Sequence, residues 1–179
     1  MRVLFLVIAL MFTFNSCSKV PNPFKSNTFV VNQGYLSIGK INQNIAKQLP
    51  LKESVGSNKI EISSVTVYGN SKSNKLLVEA EFVFTSFQIP EGLPAIAKLS
   101  GGLEYNPSTK EFRFKNLSVD GIKFLKDELV EYITKPQRKF IPDAIALKIS
   151  DLVLHKSKKE FHHIKSYQIK ESKIKVIFK

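Results

Sequence analysis

The sequence predicts an α+β domain in which an antiparallel sheet carries helix on one face. Three observations point there. Residues 59–119 alternate apolar and polar side chains with the period of two that strands require. Two stretches, 37–49 and 122–133, instead repeat their apolar residues at helical spacing. The last fifteen residues return to alternation, so the order is helix, strands, helix, strands.

The first element is an amphipathic helix. Ser37 precedes Ile38, Ile41, Ile45 and Leu49, four apolar residues on one helical face, with Ser37 as N-cap and Pro50 as stop. Lys59 to Tyr68 is a strand in which Ile60 and Ile62 alternate in one phase and Val65 and Val67 in the other, so a bulge is expected near Ser63-Ser64. After a polar turn at Asn70 to Asn74, Lys75 to Phe87 is the clearest strand: Leu76, Val78, Ala80, Phe82 and Phe84 share one face, and Glu79 and Glu81 take the other. A loop with two prolines and a glycine spans 88–94. Ala95 to Tyr105 is a third strand bent at Gly101-Gly102. Asn106 to Thr109 is a turn, and Glu111 to Val119 a fourth strand with Phe112 and Phe114 inward.

The period then changes. Ile122, Leu125, Leu129 and Ile133 predict a long helix that kinks or breaks at Pro136 and resumes through Phe140 to Pro142. Ala144 to Leu154 is compatible with strand or helix. Lys156 to His163 reads as a short basic helix. Ser166 to Ile169 and Lys173 to Phe178 form a hairpin turning at Glu171-Ser172, with Ile174, Val176 and Phe178 on one face.

Upstream of these elements, Met1 and Arg2 precede an apolar run, Val3 to Phe12, that is too short for a comfortable membrane span of roughly 20 residues. It reads as a secretory signal over residues 1–16. Ser16-Cys17 resembles the lipobox of bacterial lipoproteins, with Phe14 where Leu is usual and Asn15 where a small residue is usual. That resemblance implies a diacylglycerol on Cys17 and cleavage before it. Cys17 is the only cysteine, so no internal disulfide can form, and acylation would remove a free thiol from an oxidising compartment. Residues 17–31, with Pro21, Pro23, Asn22 and Ser26, read as a lipidated, extended tether. Residues 32–179 form the single domain. Ser18, rather than Asp, follows the cysteine, which by the common sorting rule favours the outer membrane. The expected location is the periplasmic face of an envelope membrane.

The chain carries a formal charge of +12. A basic face can serve nucleic acid, but an export signal and the lack of a nucleic-acid motif argue against that partner. Attraction to an anionic membrane surface is a second reading, at about 1 kcal/mol per nearby Lys. A solvated lysine-rich surface is the third.

The likeness extends beyond the lipobox. The opening helix Tyr35 to Lys47, the strand meander to about Val119 with a helix after it, and the ending Ile164 to Phe178 together resemble the YceB-like bacterial lipoproteins, a family without an assigned activity. The stretch Pro142 to Asp151 departs from it by lacking Tyr. The resemblance implies the architecture of tubular lipid-binding domains: a curved antiparallel sheet wrapped around a long helix in the C-terminal half, with a groove between them. It brings no catalytic residues.

The residues themselves show no catalytic constellation. His155, His162 and His163 read as solvent-exposed, without the converging partners that zinc needs, and no metal or cofactor is expected. Glu79 and Glu81 read as a wet strand face. Gly101-Gly102 lacks the Lys and Ser/Thr of a phosphate loop, and there is no Gly-x-Ser-x-Gly elbow. The 14 phenylalanines, set against no tryptophan, are the more telling feature. Core packing accounts for them; a functional reading places Phe82, Phe84, Phe112 and Phe114 along a ligand groove with Leu125, Leu129 and Ile133. An acyl chain gains roughly 0.8 kcal/mol per buried CH₂ there. The expected function is therefore a membrane-tethered, non-enzymatic protein that binds a lipid or other apolar ligand. The alternative is an envelope scaffold that docks a protein partner or an anionic membrane surface and has no groove.

Overall fold

Alternation along the middle of the chain builds a six-stranded antiparallel sheet, in the computed structural model that describes residues 33–178. The signal segment 1–16 and the tether 17–31 with Cys17 lie outside the described residues. The strands are β1 (Gln33–Ser37), β2 (Leu51–Val55), β3 (Asn58–Asn70), β4 (Lys75–Thr85), β5 (Leu93–Asn106), β6 (Glu111–Phe124), β7 (His155–Lys156), β8 (Ile164–Ile169) and β9 (Lys173–Phe178). Strands β2 to β7 pair in sequence order, and β1, β9 and β8 form a second, three-stranded antiparallel sheet. Two helices, α1 (Ile38–Ala46) and α2 (Lys135–Ser150), and a 3-10 segment, Asp127–Tyr132, complete the described elements.

This overturns the expected fold class. The molecule is mostly β, with two antiparallel sheets in place of one, and no long helix in the C-terminal half is wrapped by sheet. Residues 122–133 are not helical as a unit. Ile122 lies in β6 opposite Ala97, Leu125 follows the strand, Leu129 sits in the 3-10 segment and Ile133 precedes α2. The false period joins residues of different elements, and a bulge just upstream extends it. Val119 faces Leu99 and Gly121 faces Lys98, which leaves Asp120 as an extra residue. An extra residue turns the period of two into a spacing of three between Val119 and Ile122, which imitates a helix. Pro136 stands in the first turn of α2, where a missing N–H costs nothing, so it starts the helix instead of kinking it. Gln137 helps there: its side-chain oxygen accepts from the Thr134 N–H at 2.9 Å. Residues 144–150 continue α2, with Ile141, Ala144, Ile145 and Ile149 buried and Leu147 exposed. The expected basic helix at 156–163 is instead the short β7 and an irregular strap.

Other expectations agree with the structure. α1 buries Ile38, Ile41 and Ile45 beneath β3 and leaves Lys40 in solvent, but it ends at Ala46, so Leu49 of the expected stripe lies beyond the helix and Pro50 is not what stops it. The register of β3 on β4 shifts between Ile62 and Ser64. The terminal hairpin pairs Ile169 with Ile174. α1 packs on β3 and α2 on β3 and β6, and at about 1.5–3 kcal/mol per buried aliphatic or Phe side chain the core they share with β4 and β5 dominates stability. The two sheets meet closely at Gly69, where an added Cβ would collide with the Lys170 backbone carbonyl.

Candidate functional site

The four phenylalanines of the expected groove belong to this core. Phe82, Phe84, Phe112 and Phe114 are all buried, at 2, 0, 1 and 3 % exposure. They fill the space between sheet and helices that a groove would need. Ile133 is buried too, Leu129 is half-buried, and Leu125 is exposed at the far end of β6. The seven residues are not brought together around one opening, because the helix expected to carry the last three does not exist.

Of the seven, Phe112 alone also faces a cavity of about 140 Å³ between the small sheet and the start of β6. Its walls are Phe112 and His155 on one side, Leu36, Val176 and Phe178 of the small sheet on another, and Phe161 of the strap. Period-two alternation aims Val176 and Phe178 here. The rings form a network. Phe161 and Phe178 stack with centroids 3.6 Å apart, and Tyr105 meets Phe112, Phe161 and Phe178 at 4.9, 5.9 and 6.1 Å. Edge-on aromatic contacts of this kind add about 0.5–1.5 kcal/mol beyond area burial. The Tyr105 hydroxyl accepts from the Phe161 N–H at 3.4 Å, tying the strap to β5.

His155 is half-buried against the Phe112 ring, not solvent-exposed as the sequence reading had it, while His162 and His163 are exposed. Burial, reinforced by the Lys40 charge, holds the His155 imidazole below its ordinary pKa, so it stands neutral in an apolar wall. Phe161 and Tyr105 were not singled out by sequence reasoning. The one local signal was Tyr105 sharing a phase with Leu103.

Among the described residues, no group of three or more His, Cys, Asp or Glu is placed to hold a metal, and no helix is long and apolar enough to cross a membrane. Every buried side-chain nitrogen and oxygen described has a hydrogen-bond partner. Beside the rings, the polar side chains lining the cavity are those of Tyr35, His155 and Ser157. No family model matches the chain, and neither does any curated protein.

Proposed function

We propose that this protein is a non-enzymatic envelope lipoprotein, anchored through Cys17, that binds a small apolar ligand or the end of a lipid chain in the aromatic cavity. The carrying observation is that cavity, walled by Phe112, Phe161 and Phe178 and about 140 Å³ in volume. A volume of roughly 150 Å³ accommodates a benzene-sized group, so the ligand proposed is a ring or a short acyl end, with the rest of the molecule outside the opening. The resemblance to YceB-like lipoproteins agrees with an apolar ligand but located it between sheet and helix, where the core is filled.

The test is displacement of a fluorescent fatty acid, with lipid extraction and native mass spectrometry on the same preparation. Gly34 lines the cavity, and a Cβ there would meet Phe178 in ordinary contact at 3.5 Å. Gly34→Val should therefore fill the cavity without breaking β1. Excluding two methylenes, at about 0.8 kcal/mol each, weakens probe binding by roughly tenfold. Equal binding by both chains, or none by either, sinks the reading.

The filled sheet–helix core favours a second reading, the envelope scaffold. A protein partner captured in low salt and lost in high salt, by a chain that binds no fatty acid, would select it.

A further inference from the structure

The small sheet has a second face. Ile169, Ile174, Val176 and Phe178 point into the molecule, so alternation turns Lys173, Lys175, Gln168 and Tyr35 outward. Tyr35 is 58 % exposed, and the Lys173 Nζ stands 5.4 Å from its ring centroid. The three strands contain Lys165, Lys173 and Lys175 and not one Asp or Glu. The hairpin turn adds Lys170 beside Glu171.

The outer face of the large sheet is built differently. There Lys52 stands opposite Glu61, Glu79 opposite Lys98, Glu104 opposite Arg113 and Glu111 opposite Lys156. Those four cross-strand pairs offset each other, while Lys59, Lys115 and Lys123 on the same face stand opposite Thr85, Gly102 and Ile96. A sheet face whose cations have no opposite carboxylate is complementary to an anionic plane, and a Tyr among lysines suits the headgroup layer of a bilayer. The chain leading from Cys17 also joins the domain at β1, an edge of this same sheet.

We infer that the outer face of the three-stranded sheet docks on an anionic lipid bilayer, through Lys173, Lys175 and Tyr35. The inference deepens the tethered reading above and rests on it for the anchor, but the lysines act on the bilayer whether or not Cys17 carries lipid. Each lysine at the surface contributes an attraction that fades within a Debye length of about 8–10 Å, so docking must weaken with salt.

The experiment uses the full chain on vesicles of phosphatidylcholine, with or without phosphatidylglycerol, containing a nitroxide-headgroup lipid. A fluorescent amino acid is incorporated in place of Gln168 on the small sheet or of Leu77 on the outer face of the large one, both exposed positions, so that Cys17 takes no label. The expected result is several-fold stronger quenching at 168 than at 77 on phosphatidylglycerol vesicles, lost in high salt and in Lys173→Gln/Lys175→Gln. Equal quenching at the two positions, or quenching indifferent to phosphatidylglycerol and to the lysines, overturns the inference. Flotation with vesicles in high salt reads the anchor separately, so a failed anchor is not mistaken for a failed face.

Discussion

The two sheets of this molecule solve different problems. The large sheet has a saturated inner face, where Phe82 and Phe84 are fully buried, and an outer face on which Lys52, Glu79, Glu104 and Glu111 each meet an opposite charge across strands. The small sheet has neither property. Its inner face closes over an aromatic cavity, and its outer face carries lysine without carboxylate. The difference teaches where function can reside. A filled layer with acids among its bases mainly stabilises, whereas unfilled apolar volume and a face with lysine and no acid are both costs to folding that a ligand or a surface can offset.

The comparison breaks first at Phe82. Phe82→Ala should cost about 3–5 kcal/mol in urea unfolding, because the sealed core cannot collapse around the hole. A loss under about 1 kcal/mol would mean that the large sheet is not saturated. A smaller effect should come from His155, whose pKa is lowered by burial and then by Lys40. A depressed folded-state pKa means that the unfolded chain binds the proton first as pH falls. Stability is therefore complete above the ordinary 6.5 and declines as pH drops through the lowered value. Urea midpoints measured from pH 8 to pH 5 should show this decline in the wild type and a shallower one in His155→Leu; parallel profiles would place His155 in solvent. The smallest effect is expected on the outer face of the large sheet. Removing the facing pair with Glu79→Gln and Lys98→Gln together should change stability by less than about 1 kcal/mol. It should also leave vesicle quenching at position 168 unaltered, in contrast to the lysines of the small sheet.

Much of the large sheet was legible beforehand because its signals are local. Leu76 to Phe84 alternate without a break, and the phase change at Ser63-Ser64 marks the β3 bulge within four residues of sequence. The site was not legible. Phe161 comes from an irregular strap whose composition resembles a basic helix, and Phe112 and Phe178 become neighbours only when β9 is laid beside β1. Tyr35 and Leu36 read as the entrance to α1, yet they form a strand because β9 offers them a ladder.

Legible in the sequence, then, were the α1 stripe of Ile38, Ile41 and Ile45, the inward phases of β3 to β5 and the terminal hairpin. Each rests on spacing within a dozen residues. Tertiary structure alone decided that Asp120 bulges out of β6, that Pro136 begins a helix, that β1 joins β9, and that the phenylalanines split between a filled core and an aromatic cavity. Those outcomes depend on what stands opposite each residue, and side chains brought together from distant parts of the chain leave no period to read.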